Sequence, residues 1–420
     1  MNNSSAAIRA YEHQPIPISE RATATTLSGA EVARLTALAR ERPGFCVREY
    51  SSVRFSQYCG LVNLGDRMLE ILPKTDTRTS HAASRGLLIQ LLRAAGAVPT
   101  YRDETADHHL QSGPLLEVFI SAFFDAVLAV IKQGLLRRYQ ERADDLPVLR
   151  GRLEARQFTR LANRPDLLAC RFDELTADNI WNRLIRRGLQ LCRPWITTVE
   201  LERLWVDLMM AFDDVSDEAL DAGHADRLPF DRQAMRYREA LQWVRWILRL
   251  LAPSLRSGES RAPGLLFDMN VVFQEAVVRT LARRAVGTQV LRQHFGHLAT
   301  IAGAGSRALR LRPDVVLRDH GQIVAIGDTK WKLIQPQAGG YLMPSPQDVY
   351  QVLAYALAFK CNNLALIYPW YSGLEDSLDT VFTVRAAAGH DVRINVICLN
   401  LGLNFLRARH RLDAAWEDVL

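Results

Sequence analysis

The residues best suited to chemistry lie in one short stretch, residues 312–332, which reads RPDVVLRDHGQIVAIGDTKWK. Asp314 stands early in the first of two apolar strands, and the second strand ends in Asp328, Thr329 and Lys330. Side chains alternate across a strand, so Asp328 and Lys330 project to one face while Thr329 faces away. A hairpin of this length brings Asp314 beside Asp328.

Two such carboxylates, together with the backbone carbonyl of Thr329, form an all-oxygen site that suits Mg²⁺. A metal ion held there polarises a phosphate oxygen and lowers the pKa of a bound water. Lys330 would orient that water or offset charge on the pentacoordinate phosphorus. The alternative is a strand that ends in solvated polar residues. The apolar strand before Asp328 and the Pro-Asp pair on the partner strand favour a site.

The predicted helix at residues 346–360 adds a second group of polar side chains. Gln351 and Tyr355 are four residues apart and therefore share one face, and Asp348 lies one turn earlier on a similar face. The alternative is an amphipathic helix on which these side chains are incidental. Their position after the strand motif favours a role in the site.

An upstream acidic residue is expected on the predicted helix at residues 268–286. Glu275 or Gln274 could reach the metal through water, and a solvated helix position is the alternative for either. The region that follows is basic, with eight arginines and one acid, Asp314, between residues 276 and 318. A carboxylate within a basic stretch fits a metal site that faces a phosphate backbone, whereas a basic helix face with solvated loops is the simpler alternative.

Hydrophobic periodicity and turn residues predict the elements that must position these side chains. The first twenty residues look loosely ordered, and Ser28 with Glu31 forms a capping box for a helix that runs to about Arg40. Helices are predicted at 82–95, 115–139, 268–286 and 346–360 and over most of 176–255. Strands are predicted at 45–48, 53–58, 61–64, 68–72, 307–317, 322–333, 364–368, 380–385 and 392–399.

Composition limits the class of protein. The chain has 420 residues, of which 48% are hydrophobic and 23% charged, so two or three domains with real cores are expected and wholesale disorder is excluded. The net charge of +6 and the pI of about 9.1 favour polyanionic partners. Six scattered cysteines without a C-x-x-C predict a reducing compartment and no structural zinc.

Targeting and nucleotide-binding motifs are missing from the sequence. The first residues are polar, and the most apolar run, residues 114–131, includes Glu117 and Asp125, so a cytoplasmic protein without a membrane span is expected. No G-x-x-x-x-G-K-[ST] motif occurs. The chain therefore has no Walker-type site for GTP or ATP.

The strand and helix motifs together resemble the PD-(D/E)xK nuclease superfamily. Pro313-Asp314 supplies the first half of its motif and residues 328–330 the second. Gln351-x-x-x-Tyr355 looks like the extra motif of the RecB-type branch. The resemblance implies a restriction-endonuclease-like α/β domain with a mixed sheet, in which Asp314, Asp328, Lys330, Gln351 and Tyr355 are catalytic and Mg²⁺, or Mn²⁺ in its place, is the cofactor.

Four segments narrow the resemblance to the McrC family, the nuclease subunits of McrBC modified-cytosine restriction systems. They are residues 61–74 (LVNLGDRMLEILPK), 149–153 (LRGRL), 268–278 (DMNVVFQEAVV) and the nuclease motif, in the order that this family shows. In the family, glutamate usually follows the phenylalanine of the third segment. Here Phe273 is followed by Gln274 and then Glu275, so either residue could fill the upstream acidic role. The expected metal ligands are therefore Asp314, Asp328 and Thr329, with Glu275 as the upstream candidate.

The McrC-like resemblance also implies partners. A McrB-like AAA+ GTPase hexamer would read modified cytosine in double-stranded DNA, translocate the DNA and bind GTP, while the McrC-like chain would stimulate the GTPase. The β-rich region up to Lys74 is the expected contact with that partner. Two other functions stay open: a stand-alone RecB-like DNA repair nuclease, and a non-catalytic subunit that only activates a GTPase. RNA is not excluded as a substrate by metal chemistry alone.

The fold class expected from these observations is α+β and multidomain. Residues 1–150 would form a partner-binding module that is β-rich and then helical. Residues 151–260 would form a helical connection, and residues 261–420 the nuclease domain.

Overall fold

A computed structural model of the chain describes residues 7–65, 67–74, 80–98, 114–154, 161, 163–252, 264–285, 287–302, 305–374, 380–385, 391–400 and 414–417. These residues divide into two compact units. The first is formed by the described residues of 113–259 with 264–265, and the second by those of 6–112 and 266–420. The boundaries differ from the three predicted ranges, because the N-terminal strands share a unit with the C-terminal part. The division into three functional parts stays a prediction.

The first unit packs helices beside a small antiparallel sheet in the strand order β7-β9-β8. Its strands are β7 (Arg138–Leu146), β8 (Arg152–Leu153) and β9 (Leu168–Thr176). Its helices are α3 (Leu115–Lys132), α4 (Ile180–Cys192), α5 (Val199–Ala211), α6 (Ala222–Asp226) and α7 (Arg238–Leu251). Short 3₁₀ turns follow at Arg193–Trp195 and precede α7 at Ala234–Tyr237. The described residues contain no helix that is long and apolar enough to cross a membrane.

The N-terminal part of the second unit contains two sheets. β1 (Ile8–Tyr11), β6 (Met68–Leu72), β5 (Tyr58–Asn63) and β10 (Gly264–Asp268) form one, and β2 (Pro15–Pro17), β4 (Ser52–Phe55) and β3 (Cys46–Arg48) form the other. The helices are α1 (Gly29–Glu41) and α2 (His81–Ala94). The predicted capping box is confirmed, because the Ser28 hydroxyl accepts from the Glu31 backbone while the Glu31 carboxylate accepts from the Ser28 backbone.

The C-terminal part of the second unit is a mixed six-stranded sheet in the order β11-β14-β15-β16-β18-β17. The pair β15–β16 and the pair β16–β18 are parallel, and the other neighbours are antiparallel. Its strands are β11 (Gln289–Arg292), β14 (Val315–Asp319), β15 (Gln322–Thr329), β16 (Asn363–Pro369), β17 (Thr380–Arg385) and β18 (Asp391–Leu399). A separate pair comprises β12 (Gly296–Thr300) and β13 (Arg307–Leu311). The helices are α8 (Met269–Arg284), α9 (Pro346–Phe359) and α10 (Ala414–Glu417), with a 3₁₀ turn at Ser372–Leu374.

This architecture confirms the α+β class, whereas several sequence predictions are wrong in detail. The strands predicted at 53–58 and 322–333 end at Phe55 and Thr329. The first twenty residues contain β1 and β2, which pair with β6 and β4. The helix predicted at 115–139 ends at Lys132, because Gly134 turns the chain with a φ of +82°. The strand predicted at 307–317 is interrupted at residues 312–314, where Pro313 has no backbone N–H for a sheet ladder.

Candidate metal-binding active site

The first predicted carboxylate lies at the edge of the mixed sheet, directly before β14. Val315 pairs with Gly327 of β15, so Asp314 stands at the end of the strand that carries Asp328. The Asp314 Oδ2 accepts hydrogen bonds from the Thr329 backbone N–H at 2.8 Å and from the Thr329 hydroxyl at 2.7 Å. The hairpin therefore brings the two motif halves together, and Thr329 fixes the orientation of Asp314.

The second carboxylate, Asp328, is 2% exposed and is surrounded by the other predicted side chains. Its Oδ1 accepts from the Tyr355 hydroxyl at 3.1 Å and from the Gln351 Nε2 at 3.2 Å. Its Oδ2 lies 2.6 Å from the Lys330 Nζ. Lys330 also donates to the Gln351 Oε1 at 2.7 Å. Four of the five predicted catalytic residues thus form one connected network.

Local sequence explains why α9 presents Gln351 and Tyr355 to β15. Ser345 caps the helix, Pro346 begins it, and Lys360 in the left-handed conformation ends it. The two residues are four apart and share one side of the helix; Tyr355 is buried against the sheet, whereas Gln351 is exposed and reaches Asp328 from the rim. The Gln351 Nε2 lies 2.8 Å from the Tyr355 hydroxyl, so the helix holds both groups in a fixed relation to Asp328.

Burial and a like charge act together on Asp328. Burial raises its pKa to about 6, and the neighbouring charge of Asp314 contributes in the same direction. Lys330 and the Tyr355 hydroxyl oppose this shift. Burial, with the charge of Asp328, also raises the pKa of Tyr355, which therefore stays a neutral hydrogen-bond donor. A buried carboxylate whose pKa rises beside a second carboxylate is typical of a functional site.

Asp348 is connected to the site through Lys332, two residues after Lys330. Its Oδ2 lies 2.5 Å from the Lys332 Nζ and accepts from the buried Tyr368 hydroxyl at 3.0 Å, while its Oδ1 lies 3.8 Å from the Lys330 Nζ. Burial raises the pKa of Asp348, but the hydrogen bonds from Lys332, Ser345 and Tyr368 outweigh it and lower the pKa. Sequence reasoning placed Asp348 near this face but missed Tyr368, which only the β16 register brings there.

The structure places the upstream candidates on α8, which packs against β11 and β15. The Glu275 carboxylate lies 2.5 Å from Arg292 and 4.0 Å from Arg279, so within the described ranges its contacts are arginines and not the aspartate pair. Gln274 is 8% exposed, and its Nε2 has no hydrogen-bond partner among the described residues. Whether Gln274 or Glu275 serves a metal ion stays a prediction.

Glu12 is a residue near the site that sequence reasoning missed. It is 2% exposed, and its carboxylate accepts from the indole N–H of Trp331 at 3.1–3.2 Å. Trp331 lies between Lys330 and Lys332, and its ring packs 5.6 Å from that of Phe273. Burial raises the pKa of Glu12 to about 7, against the hydrogen bond from Trp331. Nothing in the local sequence marks Glu12, because its partner is 319 residues away.

The donor atoms at this edge suit a hard divalent cation. Asp314, Asp328 and the main chain at Thr329 offer oxygen ligands only, and Mg²⁺ usually takes one or two carboxylates and keeps several waters. The described residues contain no group of three or more His, Cys, Asp or Glu side chains that could hold a metal ion. A site here would thus need the Thr329 carbonyl and water or phosphate oxygens to complete it.

Fold and site together define an α+β protein with a carboxylate-lysine cluster at the edge of a mixed sheet. A family model described as the McrBC 5-methylcytosine restriction system component matches residues 53–369. This match spans most of the sequence, and the chain belongs to that family. The family predicted from the sequence is confirmed.

One solved structure shows the same fold over nearly the whole chain. The refined half-complex from a tetradecameric assembly of Thermococcus gammatolerans McrB AAA+ hexamers with bound McrC contains a chain with a TM-score of 0.73 and 18% identity, and the match covers 98% of both chains. The cryo-EM structure of the Thermococcus gammatolerans McrBC complex contains a chain with a TM-score of 0.48 and 22% identity, over 66% of this chain and 88% of that one. No curated protein sequence matches.

Proposed function

We propose that the chain is the nuclease subunit of a McrBC-type restriction system and hydrolyses phosphodiester bonds in double-stranded DNA with Mg²⁺, or with Mn²⁺ as a substitute. The observation that carries this proposal is the network of Asp328, Lys330, Gln351 and Tyr355 beside Asp314. This network brings together the two halves of a PD-(D/E)xK-type motif, Asp314 and residues 328–330, at one edge of the sheet. Family membership over residues 53–369 supports the same activity.

In this mechanism Asp314, Asp328 and the Thr329 carbonyl would hold the metal ion, with Glu275 or Gln274 acting through water. The bound ion supplies Lewis acidity toward a phosphate oxygen and lowers the pKa of water. Lys330, held by Gln351, places its ammonium group beside Asp328, where it would orient the attacking water or offset charge on the phosphorus. Tyr355 and Gln351 keep Asp328 in position through hydrogen bonds to its Oδ1.

The proposed partner is a McrB-like AAA+ GTPase hexamer. One of the structures that resembles this chain is a complex of McrB AAA+ hexamers with bound McrC. The chain has no Walker motif of its own, so GTP would act only through the partner. We propose that the partner reads modified cytosine, that this chain stimulates its GTPase through the β-rich region up to Lys74, and that both work in the cytoplasm.

The test is cleavage of methylated and unmethylated plasmid DNA in Mg²⁺, with and without the neighbouring AAA+ protein and GTP. Cleavage only when partner and GTP are both present is the expected result, and dependence on methylation would identify the trigger. Cleavage by the chain alone would indicate a stand-alone nuclease instead. Faster GTP turnover by the partner without any cleavage would leave a non-catalytic activating subunit. A matched single-stranded RNA and duplex RNA substrate would show whether the activity is confined to DNA.

A further inference from the structure

Between β11 and β14 the chain leaves the six-stranded sheet and forms a two-stranded arm, whose described residues are 293–302 and 305–312. The base of the arm is the pair of Arg292 with Val315, after which β12 and β13 pair with each other. The base of the arm contacts residues of the candidate site. The Gln293 backbone nitrogen lies 3.5 Å from the Asp314 carbonyl oxygen. The Tyr355 hydroxyl lies 3.5 Å from the carbonyl oxygen of Arg312. The base of the arm therefore lies next to Asp314.

The charge of this arm is entirely positive. Residues 287–312 contain four arginines and two histidines and no acidic residue. Arg307, Arg310 and Arg312 are exposed, and none of them forms an ion pair with any described acidic side chain. Arg292, at the base, differs because Glu275 neutralises it. Three arginines without a carboxylate partner, on one short arm, point to an anionic ligand.

The arm also exposes large apolar side chains beside these arginines. Phe295 is 48% exposed and Leu309 is 64% exposed, with Leu298 and Ile301 also open to solvent. Leu309 has a φ of +53°, unusual for a branched residue within a strand, and its side chain stays outside the core. The Arg310 guanidinium lies 4.0 Å from the centre of the Phe295 ring, so a cationic group and an exposed apolar side chain of the arm are in direct contact.

We propose that this arm is a DNA-binding ribbon that holds duplex DNA beside the cleavage site. Arg307, Arg310 and Arg312 would contact phosphates, while Leu298 and Leu309 would contact sugars or base edges in a groove. Two-stranded ribbons fit into DNA grooves, and apolar side chains on such elements can press between base steps. A five-residue strand spans about 17 Å, which is the length of about five base-pair steps. The inference rests on the proposed nuclease function and assigns its substrate contacts.

Charge complementarity favours DNA over a protein partner as the occupant. Charged residues are depleted from the core of a protein–protein interface. The arm, in contrast, carries three exposed arginines and no acidic residue. No base-specific contact is required, because phosphate contacts position a duplex without reading its sequence.

The salt dependence of binding tests the arginines. The full chain would be titrated onto a 30-base-pair duplex without divalent metal, so that binding is separated from cleavage. Removing one arginine–phosphate pair lowers the slope of log K against log salt by about 0.9, so Arg307→Gln with Arg310→Gln should lower it by about 1.8. The matched control is Arg40→Gln with Arg48→Gln, which removes the same charge from exposed positions on α1 and β3. An equal fall in both double variants, or no fall in either, overturns the proposal.

The apolar contacts have a separate readout. Leu298→Ser with Leu309→Ser should weaken duplex binding several-fold and leave the salt slope unchanged. If duplex binding is unaffected while association with the AAA+ protein or with a second copy of this chain falls, the arm is a protein interface and the proposal is wrong. If the wild-type chain binds the duplex through the arm but does not cleave it even with the AAA+ protein, GTP and Mg²⁺ present, the nuclease function is wrong and the DNA-binding role of the arm is retained.

Discussion

Two buried aspartates, one in each unit, show opposite electrostatics. In the first unit, Asp178 accepts four hydrogen bonds, two from Arg183 at 2.6 and 2.9 Å and two from the backbone and hydroxyl of Ser216 at 2.9 and 2.6 Å. Arg183 holds the pKa of Asp178 well below its usual value. In the second unit, burial and the charge of Asp314 raise the pKa of Asp328 to about 6.

We propose that this difference distinguishes a structural carboxylate, Asp178, from a metal-binding one, Asp328. Donors surround Asp178 on both oxygens, so its charge is compensated within the fold, and folding favours the ionised form. Asp328 lies beside a like charge that Lys330 offsets only in part. The negative charge of the two carboxylates is only partly neutralised, and a bound cation would neutralise it further. We therefore expect mutations at the two residues to affect different properties.

The largest expected effect is on cleavage. Asp328→Ala removes a proposed metal ligand and should reduce Mg²⁺-dependent cleavage by at least about 10³-fold, which corresponds to about 4 kcal/mol. It should leave partner binding and GTPase stimulation intact, since it removes one of two repelling carboxylates and Lys330 keeps Gln351 and Asp348 as neighbours. Plasmid cleavage and GTP turnover measured on the same samples check this. Joint loss of cleavage and GTPase stimulation would mean that Asp328 is structural.

Asp178→Ala should act on stability instead. It removes the acceptor of Ser216 and two of the hydrogen bonds of Arg183, which keeps Glu218 as a partner at 3.2 Å. The variant should lower the free energy of unfolding of the first unit by about 3 kcal/mol. The pKa of Asp178 is lowered by folding, so its stabilisation is present above the ordinary carboxylate pKa of about 4 and is lost as the pH falls below it. Urea unfolding at pH 7 and pH 3 should show a smaller acid effect in the variant.

The matched control for that experiment is Asp166→Asn. Asp166 pairs with Arg164 at 2.9 Å, but both side chains are about 60% exposed. Solvent screens such a pair, so no measurable loss of stability is expected. Equal losses at Asp166 and Asp178 would remove the distinction between a buried and a solvated carboxylate on which the comparison depends.

A third effect concerns Glu12 and has the opposite pH sign. Folding raises the pKa of Glu12 from 4.5 to about 7, so its stabilisation is full below pH 4.5 and is lost as the pH rises to 7. The loss is on the order of 3 kcal/mol. Glu12→Gln keeps an acceptor for Trp331 and should remove this pH dependence in unfolding curves recorded at pH 4.5 and pH 7. Glu20→Gln, at an exposed position, should leave the wild-type dependence unchanged.

The smallest effect is expected from Tyr355→Phe. The change removes one of the two hydrogen bonds to the Asp328 Oδ1 and leaves Gln351 in place. Supporting groups of this kind typically contribute about 10-fold to metal affinity or activity. The Mg²⁺ concentration for half-maximal cleavage should therefore rise by about 10-fold. An unchanged Mg²⁺ dependence would show that Tyr355 does not support metal binding by Asp328.

The parts of the fold that could be predicted are those encoded by neighbouring residues. Ser28 and Glu31 are three residues apart, and Gln351 and Tyr355 are one helical turn apart, so their geometry follows from local rules. The hairpin that joins Asp314 to β15 is also local, because its turn has positive φ at His320 and Gly321. These short-range patterns were enough to bring most of the candidate site together.

The parts that could not be predicted depend on contacts between distant segments. Trp331 meets Glu12 across 319 residues, and Tyr368 reaches Asp348 only through the register of β16 with β15. No periodicity in either segment encodes such a contact. One error did have a local signal: Pro313 in a predicted strand marks an interruption of the ladder, and that interruption separates the arm from the main sheet.

The central claim is that Asp314 and Asp328 form a metal site whereas Asp178 does not. The most direct test is a Mn²⁺ titration of the full chain, followed by electron paramagnetic resonance, on the wild type, Asp314→Asn and Asp178→Ala. We predict one Mn²⁺ site in the wild type, its loss in Asp314→Asn, and its retention in Asp178→Ala at a temperature where that variant is folded. Equal Mn²⁺ binding by the wild type and Asp314→Asn, or no binding by the wild type, would contradict the account.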